Sequence, residues 1–254
     1  MKLIAIDNGH GLNTPGKRTP VMPDGRIIKE WEFNHPTAQK LGEELKRCGF
    51  DVLYVSDTKE DTPLKIRTDR ANGSNADLFV SIHYNALNGV WGSHGGIETF
   101  YYPGATEGKR LAQLTQDHLI KETGSKNRGI KEANFHVLRT TKMLAILVEC
   151  GFMDNLEEAK RMLNEKHQMN CAVGVAKGIC EYFGVAYVPP KAKEEGLQTG
   201  KIKINIHGHQ KEIEGFKKDG INYVPIRFLE QLGYKIDWNQ GTETVLIDYA
   251  KEVK

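Results

Sequence analysis

His10, His83 and Glu149 carry the chemistry legible in this chain of 254 residues. They lie in Asn8-Gly9-His10-Gly11, Ser81-Ile82-His83-Tyr84-Asn85 and Leu147-Val148-Glu149-Cys150-Gly151-Phe152, each of which closes a short apolar run that reads as a buried strand. A carboxylate ending such a run is costly to bury unless it is paired, protonated or functional. Two imidazoles and one carboxylate are a standard donor set for an open zinc centre, in which three protein ligands leave one position for water. His10 and His83 are the nitrogen donors. Glu30, Glu32 and Glu149 are the candidates for the oxygen. These residue types predict a metal-assisted hydrolase.

Donors so far apart in sequence meet only if strands deliver them to one place. In a parallel sheet the carboxyl ends share an edge, and ligands bind there. Strand-like runs at Lys2–Ile6, Asp51–Val55, Asp77–Ile82, Gly96–Tyr102, Phe135–Leu138 and Ala145–Val148 alternate with helical periodicity at Pro36–Arg47, Leu64–Gly73, Gly108–Thr123, Leu156–Leu163 and His167–Phe183. The alternation predicts an α/β fold: a mostly parallel twisted sheet flanked by helices, followed by a small α+β domain. Composition changes after Phe183, where Val188-Pro189-Pro190-Lys191-Ala192-Lys193-Glu194-Glu195-Gly196 cannot extend a helix and buries little. The expected organisation is a catalytic domain over residues 1–186, a linker over 187–200 and the small domain over 201–254. Within the last, alternating Ile202, Ile204 and Ile206 form a strand and a second short strand follows. Asp219-Gly220 makes a turn, Val224-Pro225 opens a helix, and Tyr234–Trp238 and Thr244–Ile247 form a hairpin around Asn239-Gln240-Gly241.

Other features narrow the class. A net charge of +2, with basic residues dispersed among acidic ones, offers no basic face for nucleic acid. No apolar stretch approaches the roughly 20 residues that span a bilayer, so membrane insertion is not expected. Met1 to Asp7 reaches an acidic residue after only a few apolar ones, so synthesis in the cytoplasm without a signal peptide is expected. Cys48, Cys150, Cys171 and Cys180 form no CxxC pair and read as reduced, buried thiols rather than a zinc site. His94 reads as a loop residue, and His35, His118, His136 and His167 as surface or structural histidines. His207 and His209 flank Gly208 in a turn with no cysteine or acidic partner nearby, so no second metal site is expected there.

Residues 1 to about 184 resemble the zinc-dependent N-acetylmuramoyl-L-alanine amidases, the peptidoglycan-cleaving enzymes of bacteria and their phages. The resemblance rests on Asp7-Asn8-Gly9-His10-Gly11, Glu30 with Asn34, Leu64-Lys65-Ile66-Arg67 leading to Ala71-Asn72, and Asp77 to Ala86 around His83. It continues through Arg128-Gly129, Val137-Leu138-Arg139 and Val148-Glu149-Cys150-Gly151-Phe152 with Asn155, all in family order. It implies that His10, Glu30 and His83 hold Zn2+ and that Glu149 is the catalytic carboxylate. Locally, Glu30 follows a Gly25-bearing loop and precedes a helix, so it can reach inward, whereas Glu32 would point elsewhere on that helix. Arg67, Asn72 and Asn85 match family motifs, yet such residues beside a strand end also cap backbone groups; Arg128 is a candidate to steer an anionic peptide stem.

The implied reaction is hydrolysis of the amide between N-acetylmuramic acid and L-alanine, with peptidoglycan as partner. The implied role is a phage or prophage endolysin that reaches the wall after release. A cellular autolysin, a zinc peptidase acting on the stem peptide and a non-catalytic wall-binding protein are the competing readings. Asp219 to Arg227, Leu232-Gly233, Asp237-Trp238 and Thr244 to Ile247 resemble the small domain named after the amino-terminal region of copper amine oxidases. That resemblance implies a cell-wall-binding module, with a spacer or a homodimer contact as the other roles.

Overall fold

A computed structural model describes residues 1–190, 198–206, 209–218, 221–239 and 244–249. The chain divides into two compact units, Met1–Pro190 and Lys191–Lys254. The first runs β1 (Leu3–Asn8), α1 (Trp31–Arg47), β2 (Asp51–Tyr54), α2 (Leu64–Gly73), β3 (Leu78–Asn85), β4 (Ile97–Tyr101), α3 (Thr106–Thr123), β5 (Asn127–Glu132), α4 (His136–Arg139), β6 (Leu144–Phe152), α5 (Leu156–Ala159) and α6 (Glu165–Phe183). Its six-stranded sheet has the order β2-β1-β3-β6-β4-β5. β2, β1, β3 and β6 are parallel, β4 is antiparallel to β6, and β5 is parallel to β4.

Side chains alternate between the two faces of a strand, so each apolar run feeds two cores. Ile4, Ile6, Leu78, Val80, Ile82, Ile146 and Val148 pack with Leu41 and Leu45 of α1, Leu111 and Leu119 of α3, and Val175 and Ile179 of α6. Ala5, Phe79, Phe100, Ala145 and Leu147 pack on the other face with Ala71 of α2 and with Val137 and Leu138 of α4. The mostly parallel α/β layer expected from the sequence is the observed one.

Three local differences have physical causes. Phe135–Leu138, expected as a strand, gives way to α4 at His136–Arg139, with Val137 and Leu138 buried in the second core. The strand of that region is β5, Asn-Arg-Gly-Ile-Lys-Glu, whose edge position and partial burial need no apolar run. α1 starts at Trp31, before the expected Pro36, and accommodates that proline inside the helix. Tyr187 and Val188, expected to begin the linker, are fastened to α1: the Tyr187 hydroxyl bonds the Glu44 carboxylate, and Arg47 Nε donates to the Val188 carbonyl at 2.8 Å.

The second unit contains an antiparallel sheet of β7 (Gln198–Ile206), β8 (His209–Lys218) and β9 (Ile221–Tyr223), then a 3-10 helix over Ile226–Leu232. Pro225 precedes that helix and Gly233, at φ 87°, closes it. A hairpin of β10 (Tyr234–Asn239) and β11 (Thr244–Tyr249) follows. The linker residues 191–197, the Asp219-Gly220 turn, Gln240-Gly241 and the His207-Gly208 turn lie outside the described residues. Among the described residues no helix is long and apolar enough to cross a membrane.

Candidate functional site

The carboxyl edge of β1, β3 and β6 brings the sequence-singled residues together. His83 on β3 is the register partner of Glu149 on β6, which sets the two side chains side by side on one face of the sheet. His10 follows β1 after a sharp change of direction: Gly9 N donates to the Ile82 carbonyl at 2.9 Å, and His10 takes the left-handed conformation at φ 61°. A non-glycine residue held there stores strain, which concentrates at functional sites. Gly9 is favoured by close approach, since a Cβ at that position would run into the His83 imidazole. Glu30 caps the start of α1 at the end of a loop in which Thr19 pairs with Ile28 and Glu30 N donates to the Lys17 carbonyl at 3.0 Å.

One ligand atom each from His10, Glu30 and His83 can be chosen so that all lie within 4.8 Å of one another. Glu30 Oε1 accepts from Tyr84 N at 3.1 Å and Asn34 Nδ2 at 3.0 Å, and lies 3.1 Å from His83 Nδ1. Asn34 Nδ2 also donates to the Gly9 carbonyl at 3.0 Å, tying the Glu30 and His10 segments together. Glu30 Oε2 is buried, has no hydrogen-bond partner and sits 3.4 Å from His10 Nε2. A buried carboxylate lying against two imidazoles, with one oxygen lacking a donor, is an arrangement a divalent cation completes, and the two-histidine, one-glutamate set fits zinc.

Burial opposes ionisation of Glu30, but the hydrogen bond and charge of His83, with His10 and Lys17, prevail and lower its pKa to about 2. Burial lowers His10 to about 4, against the pull of Glu30, and so leaves the neutral imidazole that a metal needs. Glu149 goes the other way. Burial first, then the Glu30 carboxylate and Cys150, raise it well above the usual carboxylate range. The residue is partly exposed, yet its Oε2 is shut off from solvent and unpartnered. Two carboxyls in one site are thus driven to opposite protonation preferences, the pattern that separates an acid–base group from a fixed charge.

Behind these groups, Arg67 is buried and fully engaged. Its Nη1 donates to Asp7 Oδ1 and to the Asn8 carbonyl, both at 2.8 Å, its Nε to the Thr62 carbonyl at 2.6 Å, and its Nη2 to Asp61 at 2.7 Å. Asp7 also accepts from Ser56 at 2.7 Å and Ser81 at 2.6 Å. Burial resists ionisation of Asp7, but Arg67 and these hydroxyls hold its pKa below the usual value. The network fixes the end of β1, two residues before His10.

Other candidates have different partners. Glu32 accepts from Lys29 N at 2.7 Å and lies outside the three-residue cluster. His94 binds Asp154 at 2.7 Å, His35 pairs with Asp57 and His118 with Glu181, while His167 is buried near Phe33 and Tyr84. Asn72 caps backbone at Thr140 and Lys142. Arg128 donates to Glu98 at 2.7 Å and lies over the Phe152 ring, 4.7 Å from its centroid. The four cysteines are free and buried.

Sequence reasoning passed over Glu98 and Lys17. Glu98, the register partner of Glu149 on β4, is buried and held by Arg128, Lys131 and Asn85. A carboxylate inside the apolar run Ile97–Tyr101 was the available signal, the same one that marked Glu149. Lys17 adds positive charge to the field at His10, Glu30 and Glu149 from an aperiodic loop, where no sequence pattern marks it.

A family model described as N-acetylmuramoyl-L-alanine amidase matches residues 4–181. The N-acetylmuramoyl-L-alanine amidase CwlM of Bacillus licheniformis is 33% identical over 221 residues, covering 85% of this chain and 83% of that protein. The endolysin of Bacillus phage SPP1 is 33% identical over 216 residues, covering 81% of this chain and 76% of that protein. The crystal structure of N-acetylmuramoyl-L-alanine amidase from Clostridium difficile 630 superposes with a TM-score of 0.66 at 37% identity, covering 72% of this chain and 97% of that one.

Proposed function

This chain belongs to the N-acetylmuramoyl-L-alanine amidase family and is a peptidoglycan amidase, and we propose that it works with Zn2+ held by His10, Glu30 and His83 and with Glu149 as its catalytic carboxylate. The observation that carries this reading is the Glu30 carboxylate held against both histidines, Oε1 at His83 and the unpartnered Oε2 at His10, with Glu149, whose Oε2 is also unpartnered, the register partner of His83. Bound there, the ion would supply Lewis-acid polarisation of the lactyl carbonyl and a lowered pKa for water. Glu149 takes the proton of the attacking water and delivers it to the L-alanine nitrogen as the amide C–N bond breaks. Tyr84 N and Asn34 fix Glu30 Oε1, leaving Oε2 as the ligand atom.

Digestion of purified peptidoglycan with mass analysis of the products tests the reading. Stem peptides with a free L-alanine amine are expected, disappearing with a chelator and returning with zinc. Fragments cut within the stem would favour the peptidase alternative.

For biological role we propose an endolysin, supported by the likeness to the SPP1 enzyme. A cellular autolysin draws support of the same kind from the Bacillus licheniformis amidase. Expression inside a host separates them: an endolysin lyses cells only when a membrane-permeabilising protein is supplied as well. For the second unit we propose wall targeting by a module of the copper amine oxidase amino-terminal type, supported by the motifs from Asp219 to Ile247. Linked modules raise local concentration. A chain ending at Pro190 should therefore cut soluble muropeptides at the full-length rate but sediment less with insoluble walls and clear them more slowly. Equal sedimentation would leave a spacer or homodimer contact, which solution masses of the two forms distinguish.

A further inference from the structure

We propose that the loop between β3 and β4, with Trp91 at its centre, is a saccharide subsite that holds the glycan strand of the wall polymer. The inference rests on the catalytic centre lying at His10, Glu30, His83 and Glu149. The loop begins at Ala86, directly after the strand that carries His83. At about 3.3 Å per residue, Leu87 is roughly 13 Å along the chain from His83. Substrate extending from the scissile amide can span that distance.

Asp154, whose side chain is wholly buried, organises the loop. Its Oδ2 accepts from the backbone N–H groups of Leu87, Asn88 and Gly89 at 2.8, 3.0 and 3.0 Å, and its Oδ1 lies 2.7 Å from His94 Nε2. Gly92 N donates to the Asp154 carbonyl at 3.0 Å, and Asn155 Nδ2 donates to the His94 carbonyl at 2.7 Å. Trp91 Nε1 donates to the Val21 carbonyl at 3.2 Å. Val21 belongs to the loop that ends at Glu30, so the indole joins the two segments that bear Glu30 and His83.

This anchoring holds apolar side chains in water. Leu87 is 64% exposed, Val90 59%, Val21 60% and Trp91 36%. Exposed apolar groups gathered on this ordered loop and on the Val21 segment tied to it mark an interaction site, and a loop already ordered loses little entropy when a ligand binds. Charge selects the ligand. Residues 86–95 contain no Lys, Arg, Asp or Glu, but combine the indole with Asn88 and Ser93. That mixture suits an uncharged N-acetylhexosamine, whose C–H face stacks on an aromatic ring while hydroxyl and acetamido groups take hydrogen bonds. The glycan strand has this character once the lactyl carboxyl is in amide linkage, whereas the stem peptide carries free carboxylates.

The test uses the full chain, tetra-N-acetylchitotetraose as probe and two substrates, polymeric peptidoglycan and N-acetylmuramoyl-L-alanyl-D-isoglutamine. Trp91→Ala should weaken tetrasaccharide binding roughly ten-fold by calorimetry, as expected for a lost stacking contact near 1.4 kcal/mol. It should raise KM on the polymer by a similar factor and leave kcat, zinc content and cleavage of the small substrate unchanged. Trp91→Phe, which keeps an aromatic face, should restore most of the binding. Unaltered tetrasaccharide affinity in Trp91→Ala overturns the proposal, and so does an equal loss on both substrates. Because Glu149→Gln should still bind the tetrasaccharide, the subsite is read out independently of whether the catalytic assignment holds.

Discussion

Two buried polar clusters lie within a few residues of each other, and they differ in completeness. Around Arg67 and Asp7, the guanidinium and both carboxylate oxygens have partners. Around His10, Glu30 and His83, Glu30 Oε2, Glu149 Oε2 and Asn34 Oδ1 are buried without any. Unpartnered buried polar atoms are destabilising, so a fold that satisfies one cluster and leaves its neighbour open reserves the second for a ligand. On the proposed reading, the closed cluster serves structure and the open one chemistry.

Substitutions break that comparison most sharply in the open cluster. His83→Ala should lose stoichiometric zinc by elemental analysis and all measurable wall hydrolysis, because two protein ligands cannot anchor the ion in an open site. Full zinc content in that variant would remove His83 from the ligand set; His10→Ala is read the same way. Glu149→Gln should retain zinc and its melting temperature while losing about 10²- to 10⁴-fold in turnover, the usual scale of acid–base catalysis. Wild-type clearing of cell-wall suspensions by this variant would transfer the role to another carboxylate, with Glu32 the first to examine.

In the closed cluster the effect should fall on stability instead. Arg67→Met leaves Asp7 buried and unpaired, at a cost of about 3–5 kcal/mol in urea unfolding, and adding Asp7→Asn should recover part of it. A variant that unfolds like wild type but loses zinc would invert the proposed division of labour.

The smallest effect concerns His167, buried outside both clusters. Burial lowers its pKa from 6.5 to about 4, so between those values the unfolded chain binds the proton more tightly. Stability is therefore undiminished by this group above pH 6.5 and declines as pH falls toward 4, by up to about 3 kcal/mol. His167→Gln should flatten that part of the stability curve relative to wild type, by thermal melts across the window, and an unchanged slope would show that carboxylates alone set acid sensitivity.

The legible parts of this molecule are those where one residue type has few uses. A histidine or carboxylate at the end of an apolar run stands out, and the register of β3 against β6 does bring His83 to Glu149. Long apolar runs also announced the central strands. β5 escaped because an edge strand with partial burial carries Arg, Lys and Glu as readily as a loop does. Asp154 escaped for another reason: its partners are backbone N–H groups sixty-odd residues away, and backbone amides leave no trace in sequence. The importance of Arg67 was half visible, since its motif was recognisable but its burial depends on Asp7, Asn8 and Thr62 closing around it.

The strand order has a consequence for how the protein comes into being. β6 lies between β3 and β4 although both precede it in the chain, so β3 and β4 never pair directly. A growing chain can assemble β2, β1 and β3 as one half-sheet, with His10, Glu30 and His83 already in hand, and pair β4 with β5 as another. Only the insertion of β6 joins the halves, a non-local and hence slow event. Glu149 rides on that strand. On the proposed assignment of these residues, ion capture would precede catalytic competence during folding, and a newly made chain would stay inert toward its substrate until the last seam of the sheet had closed.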